Sequence, residues 1–178
     1  MRRPTFDEET LVLGFFEAME KGLAAKVVGL NDLAVVERDG NRFVCLVGSD
    51  LHGLPEDLVL GCDAAGLPIG AIEDGAFHLD LQGAVLLARK TERQTVRVTE
   101  HAARLFLYGR NILGDSIERH DPRLEREDAC IVTNPRGEAM GIGLVVGPFK
   151  GGRESVKPVI DLGTYLRDQQ GSGDEDEA

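Results

Sequence analysis

Two Asp-Gly dipeptides constrain the fold of this chain more than any other feature. Asp39-Gly40 and Asp74-Gly75 are each flanked by two short segments rich in apolar residues. An Asp-Gly pair in that setting is a strong signal for a two-residue hairpin turn, because both central positions require a positive φ. The sequence therefore predicts two β-hairpins in the first half of the chain. Their strands are expected at 34–38, 42–47, 68–73 and 76–81.

A helix is predicted before the hairpins. Thr5 and Glu8 have the spacing of a capping box, and apolar residues then recur on one helical face. Gly22 is the natural end of this helix. Further along the chain, 55–60 is expected to be a short helix, and 83–89 fits either a helix or a buried strand. The charged stretch 89–94 is the candidate linker between two domains.

The second half of the chain has a different character. The four residues from Asn134 to Gly137 have the chemistry of a type I turn, with Asn first, Pro second and Gly fourth. Thr99 is a suitable helix cap. The elements expected here are a strand at 96–98, a helix from Thr99 to Gly109, strands at 128–133 and 139–146, a Gly-rich basic segment at 147–157 and a helix at 162–169.

The negative charge of the chain is unevenly distributed. The formal net charge is −11, of which residues 1–94 carry −7, residues 95–170 carry none and the tail 171–178 carries −4. The acidity excludes a general, sequence-independent nucleic-acid coat, but the balanced second half can still hold a local basic site. Arg outnumbers Lys by 15 to 5, which together with the acidity suggests adaptation to high salt. Ordinary acidic solubility is the alternative.

The sequence lacks the usual signals for catalysis or a metal centre. The four histidines are scattered, and none forms a ligand pair such as H-E-x-x-H. Gly141, Gly143 and Gly147 miss the dinucleotide-binding spacing by one residue and fall in a predicted strand. These glycines are instead expected to allow tight curvature or close approach of two backbones. We expect no catalytic residue, no metal and no cofactor.

The compartment is inferred from the cysteines and the first residues. Cys45, Cys62 and Cys130 are widely separated and odd in number, as expected for small buried side chains in a reducing cytoplasm. Polar and acidic residues follow Met1, where a signal peptide has an apolar segment. The longest apolar stretches, such as 83–88, are far shorter than the roughly 20 residues of a membrane span. We expect a cytoplasmic protein with no membrane segment.

A cluster of positive charge lies near the end of the second half. Lys150, Arg153 and Lys157 lie within eight residues, beside Gly151 and Gly152. Glycines let a backbone come close to phosphates, and Lys and Arg neutralise their charge. From these residues alone, a solvated surface loop is an equal alternative.

A second candidate segment follows the predicted helix. Tyr108, Gly109 and Arg110 combine a ring that can stack on a base, a turn and a guanidinium, which suits contacts to unpaired RNA. Phe106 and Tyr108 fit a place in the core equally well. Arg136, in the predicted type I turn, completes the set. The candidate RNA-binding residues are Lys150, Arg153, Lys157, Tyr108, Gly109, Arg110 and Arg136.

Several of these motifs resemble those of a known protein family. The run from Leu105 to Leu113, followed by 128–133 and 137–146, resembles a PUA domain, a small RNA-binding β-pseudobarrel. The opening residues 1–10 and the arm 77–80 extend the match. Together they resemble the Nip-seven family of ribosome-biogenesis factors in an archaeal form, over nearly the whole chain except the acidic tail.

The resemblance implies an α+β fold. It places an N-terminal α/β domain with an antiparallel sheet at 1–94, a PUA β-pseudobarrel at 95–170 and a disordered acidic tail at 171–178. It implies a non-catalytic protein that binds RNA through the PUA domain and assists rRNA processing and large-subunit assembly. We assign the acidic N-terminal domain to contacts with other ribosome-assembly proteins. The alternative is a PUA-bearing accessory or targeting module of a pseudouridine- or archaeosine-type RNA-modifying system.

Overall fold

Backbone contacts in the computed structural model, which describes residues 1–48 and 66–163, divide the chain into two units. The division falls between Thr91 and Glu92, inside the charged stretch that the sequence suggests as a linker. The helix predicted at 55–60, residues 164–169 of the last predicted helix and the acidic tail lie outside the described residues.

Two helices open the first unit. Helix α1, Phe6–Met19, begins with the predicted capping box: the Thr5 hydroxyl accepts a hydrogen bond from the Glu8 N–H, and the Glu8 carboxylate accepts one from the Thr5 N–H. The helix ends three residues before the predicted stop. Gly22, with a φ of 79°, turns the chain into a second short helix, α2, Leu23–Val28, which the sequence pattern did not predict.

The two predicted hairpins are confirmed and form one antiparallel sheet in the order β1-β2-β3-β4. Asp39 and Gly40 have φ values of 52° and 81°, and Asp74 and Gly75 have 48° and 76°. These are the left-handed values that a two-residue hairpin turn requires. The strands are β1 (Asp32–Arg38), β2 (Asn41–Val47), β3 (Leu67–Glu73) and β4 (Ala76–Leu79).

The end of the second hairpin differs from the prediction. Strand β4 stops at Leu79 instead of residue 81, because Asp80 is a helix cap whose carboxylate accepts a hydrogen bond from the Gly83 N–H at 2.7 Å. Helix α3, Leu81–Ala88, follows. The stretch that fitted either a helix or a buried strand is therefore a helix.

The second unit is a six-stranded sheet that curls into a nearly closed barrel, in the order β6-β10-β9-β8-β5-β7. Neighbouring strands are antiparallel except for β5 and β8, which are parallel. Helix α4, capped by Thr99 as predicted, buries Phe106 in the core of this barrel. The elements are β5 (Thr95–Val98), α4 (Glu100–Leu107), β6 (Ile112–Leu113), β7 (Ile117–His120), β8 (Ala129–Thr133), β9 (Ala139–Val145) and β10 (Glu154–Asp161).

Glycines in β9 allow the close approach that the sequence suggested. A methyl group on Gly143 would lie 2.3 Å from a side-chain carbon of Val156, and one on Gly141 would lie 2.3 Å from the Ile160 carbonyl oxygen. Both contacts are far too short for a real side chain. Strands β9 and β10 therefore pack at a distance that only glycine permits, which supports the curvature of the barrel.

The described helices are all short. None of those within residues 1–48 and 66–163 has the length and apolar character needed to cross a membrane.

Candidate nucleic-acid interface

The loop between β9 and β10, residues 146–153, is held by one buried residue. Ser155 is fully buried, and its carbonyl oxygen accepts hydrogen bonds from the N–H groups of Val146 and Gly147 at 2.8 and 3.3 Å. Its hydroxyl donates to the Pro148 carbonyl oxygen. The start of the loop is thus anchored to the first turn of β10.

The loop also contacts the segment that follows β6. The Gly114 N–H donates to the Arg153 carbonyl oxygen at 3.0 Å, and the Asp115 N–H donates to that of Gly151 at 3.1 Å. A methyl group on Gly114 would lie 2.7 Å from the Lys150 backbone, so this contact depends on glycine. Residues 114–115, a few positions after the segment from Tyr108 to Arg110, are therefore neighbours of the loop. Strands β6 and β10 pair beside this contact, and we call the region formed by the two strands and the loop the β6–β10 edge.

Of the three basic residues that the sequence singled out near the chain end, two lie in a loop and one lies in a strand. Lys150 and Arg153 lie in the loop, and both are exposed. Lys157 was expected in the same Gly-rich segment, but it lies within β10, where it pairs with Leu144 of β9. Val156 before it is buried and Lys157 is exposed, as the alternation of a strand requires. All three ammonium or guanidinium groups are thus available to solvent.

Tyr108, Gly109 and Arg110 form the end of α4. The Gly109 N–H donates to the Phe106 carbonyl and the Arg110 N–H to the Leu105 carbonyl, and Gly109 has a φ of 74°. This is a Schellman cap, for which glycine is the preferred residue. The ambiguity over the two rings is settled, because Phe106 is 0% exposed and Tyr108 is 74% exposed. Tyr108 is free to stack on a base.

Arg136 lies apart from the other six residues. It is exposed in the predicted type I turn between β8 and β9, where the Gly137 N–H donates to the Asn134 carbonyl at 2.9 Å. The loop with Lys150 follows the opposite end of β9. A seven-residue strand is about 20 Å long. The structure therefore does not bring Arg136 together with the β6–β10 edge.

Several arginines of the second unit are occupied by internal ion pairs. Asp121 contacts the guanidinium groups of Arg93 and Arg123, and Glu92 contacts those of Arg97 and Arg119. Burial alone would raise the pKa of the Asp121 carboxyl, but hydrogen bonds from the Gln94 and Arg123 N–H groups and from the Arg123 guanidinium hold it below its ordinary value. These arginines are therefore paired with carboxylates of their own unit.

Other basic side chains of this unit lack such neutralisation. Within the described residues, no ion pair with an acidic side chain involves Arg110, Arg126, Arg136, Lys150, Arg153 or Lys157. Arg126 was missed by sequence reasoning, because it lies among Glu125, Glu127 and Asp128 and the run is acidic overall. It lines a cavity with Arg153, a juxtaposition that sequence spacing does not reveal.

Two features of the described residues concern metal binding and cysteine reactivity. Among them, no three His, Cys, Asp or Glu side chains are grouped closely enough to hold a metal ion. Cys45 and Cys130 are buried, and burial raises the pKa of both thiols, that of Cys130 to about 12. Both are small core residues, as predicted.

Sequence comparisons find relatives of the chain in archaea. Residues 94–170 match the model of the UPF0113 PUA domain. A UPF0113 protein of Aeropyrum pernix is 33% identical over 171 residues, which is 94% of this chain and 91% of that protein. A second UPF0113 protein, from Archaeoglobus fulgidus, is 31% identical over 112 residues, which is 60% of this chain and 63% of that protein.

Solved structures share the fold at low sequence identity. A hypothetical protein from Pyrococcus horikoshii OT3 is 14% identical with a TM-score of 0.65, covering 90% of this chain and 94% of that one. A PUA domain from Aeropyrum pernix, solved as a tartrate complex, is 16% identical with a TM-score of 0.58, covering 93% and 87%. A conserved PUA domain protein from Thermoplasma acidophilum is 14% identical with a TM-score of 0.58, covering 95% and 99%.

Proposed function

Because this chain belongs to the UPF0113 family and carries a PUA domain, a known RNA-binding fold, we propose that it is a non-catalytic RNA-binding protein. The RNA is rRNA or its precursor, and the protein assists rRNA processing and assembly of the large ribosomal subunit in the cytoplasm. Other assembly proteins bind the acidic N-terminal unit. The acidic excess is an adaptation to high salt.

One observation carries the RNA-binding proposal. The β6–β10 edge brings Lys150, Arg153 and Lys157, none of them paired with an acid within the described residues, beside the segment that follows Tyr108 and Arg110. The carboxylate of Glu92 pairs instead with the arginines on β5 and β7. Free cations for phosphates and an exposed ring for a base are the two contacts that bind single-stranded RNA.

The first test removes the three cations together. The variant with Lys150→Gln, Arg153→Gln and Lys157→Gln should lose most of its affinity for single-stranded RNA, measured by fluorescence anisotropy at several salt concentrations. Loss of three phosphate contacts should also reduce the slope of log K against log salt by about 2. The side chains are exposed, so the fold should survive.

The control makes the same charge change elsewhere. Lys21→Gln, Arg38→Gln and Lys90→Gln also remove two Lys and one Arg charge, all from exposed positions of the first unit. This variant should bind RNA as the native chain does. Equal affinity of the native chain and the β6–β10 variant at matched salt would refute the site.

The role in assembly requires a second test. The tagged native chain, captured from cells of its source, should bring down pre-ribosomal particles, and the β6–β10 variant should lose the rRNA. Recovery of an RNA-modifying enzyme without ribosomal precursors would instead support the accessory or targeting role. Proteins that remain with the variant are expected to be partners of the acidic N-terminal unit.

A further inference from the structure

A cavity of about 530 Å³ lies beside the β9–β10 loop in the second unit. This volume is within the usual range for small-molecule sites. Two segments of chain form its walls, the turn before β8 and the loop that contains Lys150. Its lining includes Glu125, Arg126, Gly147, Phe149, Arg153 and Glu154.

The aromatic ring in this wall is held in a fixed position. Phe149 stacks on His120 with ring centroids 4.1 Å apart and an interplanar angle of 19°. It also packs against the buried core of the barrel. His120 thus covers one face of the Phe149 ring and the core holds another part of it, while Phe149 also lines the cavity. A ring that is already immobilised loses little conformational entropy when a flat ligand packs against it.

The backbone that shapes the cavity is also fixed before any ligand binds. The two walls are joined by a hydrogen bond from the Glu127 N–H to the Val145 carbonyl oxygen at 2.8 Å. A methyl group on Gly147 would lie 2.2 Å from the Glu154 carbonyl oxygen, so only glycine fits there. The cavity is therefore largely preformed, as ligand sites usually are.

The cavity lining contains both positively and negatively charged side chains. Arg126 and Arg153 are exposed and, in the described part of the chain, have no acidic partner within ion-pair distance. Glu125 and Glu154 line the same cavity. The two carboxylates disfavour a simple anion, and they can accept hydrogen bonds from the amino groups of a base. The two guanidinium groups suit a phosphate.

We propose that this cavity binds one unpaired nucleotide of the RNA, with its base against Phe149 and its phosphate held by Arg126 and Arg153. The proposal rests on the proposed RNA-binding function. Arg153 belongs to both sites, so a strand lying along the β6–β10 edge can place one nucleotide in the cavity. That continuity favours a nucleotide within RNA over a free one.

Two single variants test the cavity separately from the β6–β10 edge. Phe149→Leu removes the ring but keeps an apolar side chain, and it should weaken binding of a single-stranded octaribonucleotide by about 5- to 150-fold without changing the salt slope. Arg126→Gln should weaken binding and reduce the slope by about 0.7. Arg126 is exposed, so its variant stays informative even if loss of the Phe149 ring disturbs the fold.

Controls and contrary outcomes distinguish the cavity proposal from the proposal that RNA binds along the β6–β10 edge. Arg38→Gln, the same charge change at a hairpin tip of the first unit, should leave affinity unchanged. Native affinity in both cavity variants, together with loss in the triple β6–β10 variant, would overturn the cavity proposal alone. Native-like binding by the triple variant with loss in the cavity variants would overturn the β6–β10 site and the phosphate contact of Arg153, and only the contacts of Phe149 and Arg126 in the cavity would stand.

A further measurement separates RNA from smaller ligands. The ring proton signals of Phe149 and His120 should shift on addition of the octaribonucleotide and, less strongly, of ribonucleoside monophosphates. Inorganic phosphate should produce no saturable shift. Saturation by free monophosphates without any response to RNA would overturn the assignment to RNA. The absence of any shift with all three probes would overturn a nucleotide site altogether.

Discussion

At the scale of the residue, the buried carboxylate of Glu8 shows how one charged group connects several parts of the first unit. It is 4% exposed and accepts two hydrogen bonds from the Arg2 guanidinium at 2.7 and 2.8 Å, with Arg42 at 3.3 Å. Mainly because of Arg2, the pKa of Glu8 falls to about 2. The same contacts raise the pKa of Arg2. The backbone of Arg2 also forms a β-bridge with Val35 of β1, so the ion pair connects Glu8 of α1 to a residue that is itself hydrogen-bonded to the sheet.

The lowered pKa of Glu8 predicts a specific acid sensitivity. The stabilisation is fully present above the ordinary pKa of 4.5 and is lost as pH falls toward 2, because the folded form binds this proton less readily. It is roughly 2–3 kcal/mol at neutral pH. Glu8→Gln should lower the free energy of unfolding in urea at pH 7 and flatten its decline between pH 4.5 and 2.

Glu9→Gln provides the matched control, since Glu9 is the exposed neighbour on the same helix. It should leave both the free energy and its pH profile unchanged. The same steep decline in Glu8→Gln as in the native chain would show that other carboxylates cause the acid sensitivity.

At the scale of the element, the sequence predicted the turns and helix caps that depend only on residues close together in the chain. The Asp-Gly turns, the Thr5 and Thr99 caps and the type I turn after β8 all form where the sequence indicated. Each depends on residues within four positions of one another. The short helix α2 has no such signal. The two-residue strand β6 has none either, because it exists through its ladder with β10.

The candidate site depends on sequence signals of the same local kind. Clustering in sequence indicated Lys150 and Arg153, and a ring, a turn and a guanidinium indicated the segment from Tyr108 to Arg110; their role in RNA binding stays a prediction. The cavity was not predictable, since Arg126 and Phe149 meet only through the packing of the turn before β8 against the β9–β10 loop. Arg136 was grouped with the others on residue type alone, and the strand β9 separates it from them.

At the scale of the whole molecule, the uneven charge predicts two opposite responses to salt. Residues 1–94 carry a net charge of −7, so their carboxylates repel one another, and salt screens that repulsion. Residues 95–170 are balanced, yet their unpaired cations are those that would contact phosphates, a contact that salt weakens. Stacking on Tyr108 or against Phe149 depends far less on salt.

We therefore expect the melting temperature to rise as KCl increases from about 0.05 to 3 M, where the Debye length shrinks from more than 10 Å to less than 3 Å. RNA affinity should fall over the same range and then level off at a residual value supplied by stacking. Circular dichroism and anisotropy on the same samples measure both. Phe149→Leu should lower the residual affinity while leaving the rise in melting temperature intact, because the ring carries no charge. A melting temperature that is flat or falling with salt would refute the high-salt adaptation, and a residual affinity that stays at its native level in Phe149→Leu would assign the stacking to Tyr108 alone.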